Sequence, residues 1–214
     1  SRGLGYEYNK QNITRPAFKY EIADPKLIGS SHEFSVMQLE SKDSTSLQLN
    51  ALKIYQSLIK FHLRDESPQA LADVNLERLN FVSQFAIFDD KETLVLKTLQ
   101  NESKKWNAVN NSIAALYDFE IAKVYQALGE TYRPNTSEIH RWKLKEAIAL
   151  CDNVITKYPN SQGAQKCTIL KSQILAQSLQ IITEDILPIE KNAQSLITYK
   201  NLDNINFKIG TVTE

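Results

Sequence analysis

Apolar residues recur at helical spacing through most of the chain. The rhythm of three and four residues is clearest between Asn107 and Leu128, where the apolar positions are Ile113, Leu116, Tyr117, Ile121, Val124, Tyr125 and Leu128. This spacing places the side chains on one face of an α-helix. Gly129 follows, and a glycine in that position typically ends a helix in the left-handed conformation. The pattern predicts one long helix with Gly129 as its stop.

Residues 141–168 predict two consecutive helices separated by a stop. The residues that define this pattern are Ala147, Cys151, Val154 and Pro159. The first three share one helix face, and the proline ring ends the helix because it removes an N–H group and clashes with the preceding turn. Asn160 or Ser161 then caps the next helix. A small residue, two larger apolar residues and a later proline at these intervals are the second-helix spacing of a tetratricopeptide-type repeat. The last helix is predicted to carry Ala164, Cys167, Leu170, Ile174, Leu175 and Leu179.

Further helices are predicted before residue 107. The first has apolar residues at helical spacing, namely Leu47, Ala51, Ile54, Tyr55, Leu58 and Phe61. Ser67 and Pro68 are a start signal, with serine as the cap and proline at the first helical position. Asp89–Asp90 begins another helix, where the carboxylates suit the positive helix N-terminus. Later in the chain, Asn135 and Glu138 have the spacing of a capping box.

These elements predict an all-α fold. Six helices of about 15–22 residues with short connections indicate antiparallel pairs packed side by side. We therefore expect a tetratricopeptide-like α-solenoid of antiparallel helix pairs with a short C-terminal β segment. The predicted regions are an irregular N-terminal arm at 1–40, a helical repeat-like domain at 41–187 and an incomplete β-domain at 188–214. Helix is expected from about Ser44 to Ile182.

The two ends of the chain differ from the helical body. In the arm, short helical turns are predicted after Pro16 and Pro25, a further short helix through Phe34, and aromatic anchors at Tyr6, Tyr8, Phe18 and Tyr20. In the tail, polar and apolar residues alternate in two runs, 196–200 and 205–209. Alternation with Asn and Asp between the runs predicts two strands. Two strands are marginally stable alone, so we expect them to pack on the helices or to fray.

Composition narrows the classes of function. Lys plus Arg and Asp plus Glu balance at 25 each, which argues against a dedicated nucleic-acid surface, because such a surface needs a basic excess. No apolar run reaches the ~18 residues of a membrane-spanning helix. Met37 is the only methionine, so we expect the chain to be a piece of a longer protein.

Candidate chemistry is sparse. The chain has no GxxxxGK[ST], GxGxxG or GxSxG motif, and these are the motifs of phosphate, dinucleotide and nucleophile sites. His32, His62 and His140 are far apart in the sequence, with no HExxH pattern. We therefore expect no enzymatic activity, no cofactor and no metal ion.

Two cysteines, Cys151 and Cys167, fall on the facing sides of two consecutive predicted helices. One interpretation is a pair of small buried apolar residues. The other is a disulfide between packed neighbours. Zinc is not expected, because two ligands are too few for a structural site.

From about Asn107 onward the sequence resembles the helical N-terminal region of large bacterial alpha-2-macroglobulin-like proteins. The segments that carry the resemblance are LYDFEIAKVYQALGE, HRWKLKEAIALCDNVITKYPNSQGAQKC and SLITYKNLDNINFKI. The last segment resembles the first strands of a macroglobulin-type β-sandwich domain, entered through Tyr199-Lys200-Asn201. In that family a helical repeat region precedes a string of β-domains in an exported protein, which is often lipid-anchored in the periplasm.

The resemblance implies a non-catalytic scaffold and protein-interaction module of an exported, periplasmic or cell-surface protease trap. Many family members trap proteases by a thioester formed from Cys-x-x-Gln, but neither Cys151 nor Cys167 has glutamine three residues later. Trapping would therefore depend on downstream domains. The expected partners are those β-domains and an unidentified protein, with no nucleic acid and no membrane insertion by this segment. Export would permit a disulfide between the two cysteines. The alternative is a free-standing tetratricopeptide-like protein-binding module of an outer-membrane uptake or assembly system.

Overall fold

A computed structural model describes residues 19–184, 192, 194–208 and 210 of the chain. The described part is 59% helical, with seven α-helices and one antiparallel strand pair. The helices are α1 (Ser31–Ser35), α2 (Leu47–His62), α3 (Gln69–Phe85), α4 (Lys91–Asn107), α5 (Asn111–Glu130), α6 (Lys143–Lys157) and α7 (Gln162–Leu175). The strands are β1 (Ser178–Thr183) and β2 (Ser195–Lys200). The prediction of an all-α fold with a short β segment is confirmed.

The chain divides into two compact units, residues 1–108 and residues 109–214. Among the described residues, the first unit holds a 3-10 helix at Pro25–Ile28 and helices α1 to α4. The second unit holds α5, α6 and α7, which all pack against one another, and the two strands. Each unit has its own set of buried apolar side chains.

The described part of the predicted N-terminal arm, residues 19–40, is bonded to the rest of the first unit. The backbone N–H of Tyr20 donates to the Asp43 carboxylate over 3.0 Å, and Ile22 forms a parallel bridge with Ala86. The turn predicted after Pro25 is the 3-10 helix. The other predicted features of the arm lie outside the described residues: the turn after Pro16 and the anchors Tyr6, Tyr8 and Phe18.

A buried arginine connects the arm to α3. Arg78 is fully buried, and its Nη1 donates to the Leu27 carbonyl oxygen over 2.7 Å. Its Nη2 donates to the Gly29 carbonyl oxygen and to the Asn75 side-chain oxygen, each over 2.7 Å. The guanidinium carbon also lies 4.6 Å from the centre of the Phe34 ring. A buried charge is tolerated when it is hydrogen-bonded in this way, so Arg78 joins the 3-10 helix and α1 to α3.

The prediction of helix α2 is confirmed, but the residues that predicted it are mostly on the surface. Leu47 is 84% exposed, Ile54 61% and Phe61 68%. The buried apolar residues of α2 are instead Leu49, Leu52 and Ile59. Helical spacing identifies a helix, whereas the choice between two apolar faces depends on the neighbouring elements, here α1 and α3.

The core of the second unit is built largely from small side chains. Its buried members are Ala115, Ala122, Ala147, Cys151, Val154, Tyr158, Ala164, Cys167, Leu170 and Ile174. Small side chains allow helices to approach closely. A Cβ atom on Gly163 of α7 would lie 2.3 Å from the carbonyl oxygen of Ala115 in α5, a distance that real Cβ atoms do not adopt. The backbones of α5 and α7 are therefore in direct contact.

Gly129 does not end α5 in the left-handed conformation, so this prediction is wrong. The helix continues to Glu130, and none of the described glycines has a positive φ. Gly129 is buried, and a Cβ atom there would lie 2.7 Å from Cγ and 2.9 Å from the backbone nitrogen of Leu144. The glycine therefore makes room for the first turn of α6 against α5.

The boundary between α6 and α7 follows the predicted signals. Helix α6 ends at Lys157, before Pro159. Of the two candidate caps, Ser161 takes the position, and its Oγ accepts the Ala164 backbone N–H over 3.1 Å. Local chemistry alone therefore determines this stop and start.

Three other start signals are wrong. Helix α3 begins at Gln69 with Pro68 itself at the cap position and no side-chain cap bond, so Ser67 does not cap it. The long central helix begins at Asn111 and is capped by Asn110, because α4 still includes Asn107. The predicted capping box of Asn135 and Glu138 does not form. The backbone of Asn135 is left-handed, with φ 67°, so no helix starts at this position. Helix α6 begins only at Lys143.

The strand pair begins inside the range predicted as helix. Helix α7 ends at Leu175, so Leu179 lies on β1 and the helix predicted to Ile182 is too long. Strand β2 confirms the first alternating run of the tail. Residues 205–208 of the second run form no strand, and Ile209 lies outside the described residues.

Gly163→Ala is expected to destabilise the second unit by about 1–3 kcal/mol, because the added carbon meets the Ala115 backbone, which cannot rotate away. Gly210→Ala is the matched control, since a Cβ atom there meets nothing within 4 Å. Urea unfolding followed by circular dichroism compares the two variants. Equal midpoints would contradict the close approach of α5 and α7.

Candidate functional site

The predicted repeat signature lies on α6 and in the turn that follows it. Ala147, Cys151 and Val154 are at most 1% exposed and form one buried face of α6. Pro159 is exposed in the turn between α6 and α7. The structure therefore brings the first three residues together in the core. Their assignment to a tetratricopeptide repeat stays a prediction.

Cys151 of α6 and Cys167 of α7 are in contact within this core. Both are free thiols with no exposed surface, and a side-chain hydrogen bond joins them. That bond lowers the pKa of the Cys151 thiol, whereas the same bond and burial raise the pKa of the Cys167 thiol. The two predicted disulfide partners are thus neighbours, and the disulfide itself stays a prediction.

The junction between α7 and the strands is held by Asn201, which directly follows β2. Its side-chain amide donates to the carbonyl oxygens of Ile174 over 2.8 Å and Ala176 over 3.1 Å. The Lys200 ammonium donates to the Gln173 carbonyl oxygen over 3.3 Å. Carbonyl groups in the last turn of a helix have no partner within the helix. Asn201 and Lys200 therefore cap α7 and anchor β2 to it.

The strand pair exposes apolar side chains on both faces. Leu179 pairs with Tyr199 on one face, and Ile182 pairs with Leu196 on the other. The large apolar residues exposed on the pair are Leu179, Ile181, Ile182, Leu196 and Tyr199. A depression of about 500 Å³ beside β1 is lined in part by Leu179 and Ile205. Two strands alone are marginally stable, so these faces suit the addition of further β-structure.

Metal-ligand clusters and membrane-spanning helices were both sought among the described residues. No group of three or more His, Cys, Asp and Glu side chains among them could hold a metal ion. The Nδ1 atom of His62 lies 2.6 Å from an Asp65 carboxylate oxygen at the end of α2. His32 lies on α1, and His140 lies in the connection between α5 and α6. In the same part of the chain, no helix has the length and apolarity needed to cross a membrane.

Comparison with known proteins identifies no relative of this chain. No protein-family model matches the chain, and no curated protein or solved structure is significantly similar to it. The resemblance to alpha-2-macroglobulin-like proteins therefore stays a prediction that depends on the quoted segments.

Asn201 is the residue whose role the sequence patterns missed. The tripeptide Tyr199-Lys200-Asn201 marked the entry into the β segment, but capping of α7 depends on where that helix ends. The backbone of Asn201 is left-handed, with φ 53°, and asparagine tolerates this conformation better than most residues. An asparagine directly after an alternating run is the signal that could have identified it.

We expect Cys151 and Cys167 to form one intramolecular disulfide when the protein is exported to an oxidising compartment. The bond closes a loop of about 15 residues, for which chain-entropy theory gives about 3 kcal/mol. Thiol titration of the unfolded, unreduced protein measures the bond, and the expected result is no free thiol in a monomer. Cys151→Ser should restore one free thiol. Two free thiols per exported wild-type chain would rule the bond out.

Asn201→Ala is expected to loosen the strand pair from α7, because it removes two hydrogen bonds of about 0.5–1.5 kcal/mol each. Amide hydrogen exchange in β2 should become about tenfold faster, while exchange in the middle of α5 stays the same. Asn204→Ala, at an exposed position of the same segment, is the control. Unchanged exchange in β2 of the Asn201 variant would show that the anchor lies elsewhere.

Proposed function

We propose that this chain is a non-catalytic scaffold and protein-interaction module of an exported, bacterial alpha-2-macroglobulin-like protein. In this proposal the helices form a tetratricopeptide-like module that precedes a string of β-domains. The β-domains would carry the protease trap, and the helical module would hold the first of them. No cofactor takes part in this role.

The observation that carries the proposal is the anchored strand pair. Strands β1 and β2 are joined to α7 by Asn201 and Lys200, yet apolar side chains on both of their faces are exposed. Burial of such side chains contributes about 25 cal/mol per Å² of apolar surface, so further strands or a second sheet would stabilise the pair. A strand pair held in a defined position on a helical unit is what a macroglobulin-type β-domain needs at its start.

The sequence around the two cysteines supports a role for this chain that is separate from the trapping chemistry. Cys151 is followed by Asp-Asn-Val and Cys167 by Thr-Ile-Leu, so neither belongs to a Cys-x-x-Gln thioester motif. Both side chains are fully buried and contribute to the packing of α6 on α7. In the proposal, covalent capture of a protease therefore depends on another part of the protein.

This proposal is tested by measuring the molecular mass and the cellular location of the native protein. An antibody raised against the chain should detect, in cells that produce it, a band far larger than the 24.4 kDa of the chain. We expect that band in the periplasmic or membrane fraction, with a cytoplasmic enzyme as the marker for leakage. A band near the mass of the chain would instead support the free-standing interaction module and overturn the β-domain proposal.

A further inference from the structure

The two thiols of the second unit lie in a closed core. Cys151 and Cys167 have no exposed surface, and both belong to the buried cluster that α5, α6 and α7 build together. Thiol–disulfide exchange begins when a thiolate attacks a sulfur atom of the oxidant, so the oxidant must reach one of the two protein sulfurs. In the folded unit, neither sulfur can be reached from solvent.

Helix α7, which carries Cys167, is held by contacts on both sides of this residue. One turn earlier, Gly163 lies against the backbone of Ala115 in α5 with no space for a Cβ atom. One turn later, the Lys171 ammonium pairs with the carboxylate of Asp152 on α6. Exposure of the thiols therefore requires α7 to separate from α5 and α6, which opens the core of the second unit to water.

Oxidation of the pair by a small-molecule disulfide, R–S–S–R, proceeds in two steps. In the first step, one cysteine thiolate attacks the oxidant, forms a bond to one of its sulfurs and releases the other as R–S⁻. In the second step, the remaining cysteine thiolate attacks the protein sulfur of this mixed disulfide, forms the bond between Cys151 and Cys167 and releases the second R–S⁻. Two protein thiols are oxidised, one disulfide is reduced to two thiols, and the cysteine protons pass to the released groups.

The folded unit cannot hold the mixed disulfide that links these steps. A group R on either sulfur would add several atoms to a close-packed core, and such overpacking is destabilising. The same fold places the two sulfurs in contact, joined by a hydrogen bond. Folding therefore pairs the two thiols and at the same time closes them to the oxidant.

We propose that Cys151 and Cys167 form a sealed pair whose redox state is set when the second unit folds. A chain that meets a disulfide oxidant before α7 packs on α6 acquires the bond and keeps it. A chain that folds first keeps two thiols, even in an oxidising compartment. This inference adds a condition on timing to the expected disulfide, and it goes beyond the proposed scaffold role because it does not depend on the β-domains.

Oxidation of the complete, reduced chain in the folded and in the unfolded state tests this inference. The chain is incubated with oxidised glutathione in native buffer or in urea that unfolds it, and the remaining thiols are then counted by alkylation in denaturant. In urea, both thiols should be lost without formation of a dimer. In native buffer, the loss should be at least about a hundredfold slower, since the reaction requires opening of the unit. Equal rates in the two states would overturn the inference.

An exposed cysteine separates the effect of burial from any effect of urea on the chemistry. In the double variant Cys151→Ala, Cys167→Ala, the substitution Val36→Cys places a single thiol at a position that is 72% exposed. The rate at which this thiol reacts with oxidised glutathione should be closely similar in native buffer and in urea. If this thiol is slowed in native buffer as strongly as the wild-type pair, burial is not the cause and the inference fails.

Weaker attachment of α7 should speed oxidation of the folded chain. Gly163→Ala is expected to raise the rate in native buffer about tenfold, whereas Gly210→Ala should leave it unchanged, because a Cβ atom there meets nothing within 4 Å. Lys171→Gln removes the half-exposed pair with Asp152 and should raise the rate about two- to fivefold. This second variant decides the result if the Gly163 variant does not fold. Unchanged rates in the α7 variants that fold would contradict the seal.

The oxidised chain supplies the reverse measurement. After removal of urea, it should regain the circular dichroism spectrum of the reduced chain and should resist reduced glutathione until it is unfolded again. Failure of the oxidised chain to refold would also overturn the inference, because the folded unit would then not hold the bond. All these measurements use the purified chain, so their failure leaves the result for the native protein's size unaffected, and the converse also holds.

Discussion

Backbone contact between α5 and α7 is the constraint on which the second unit depends. Gly163 lies against Ala115 with no space for a Cβ atom, and Gly129 lies against Leu144 in the same way. Helices this close can be accommodated only by small side chains on their facing surfaces, which explains the four alanines and two cysteines among the buried residues of this core. The contact also sets the position of α7. The end of α7 in turn determines where Asn201 finds its carbonyl partners and where the strand pair is held.

The first unit depends on a polar contact instead. Among the described residues before α1, regular structure is limited to one 3-10 helix and one β-bridge. Buried backbone carbonyl groups there need donors from elsewhere in the fold. Arg78 supplies them to Leu27 and Gly29 while its own charge is fully buried. Removal of such a donor leaves buried acceptors without a partner, which costs more than a surface hydrogen bond contributes. The described residues of the arm are therefore an integral part of the first unit.

The functional proposal depends on a pattern that the structure leaves exposed. In the strand pair, apolar residues alternate in the ordered pattern of a packed sheet, yet they are exposed on both faces. Because side chains on a strand alternate between its two faces, this pattern suits a neighbour made of further β-structure.

The sequence by itself determined the elements whose signals are local. The helical rhythm around Ile113, the stop at Pro159 and the cap at Ser161 depend on neighbours within a few residues. The all-α class and the alternating strand β2 were predictable for the same reason.

Only the tertiary structure decided the features that depend on distant residues. The burial of Leu52 in place of Ile54 reflects what packs against α2, since both rows have helical spacing. Gly129 is a glycine because Leu144 passes beside it, although locally it has the chemistry of a helix stop. Strand β1 continues a helical pattern, and it becomes a strand by pairing with β2, whose hydrogen bonds come from residues beyond the range of any local signal.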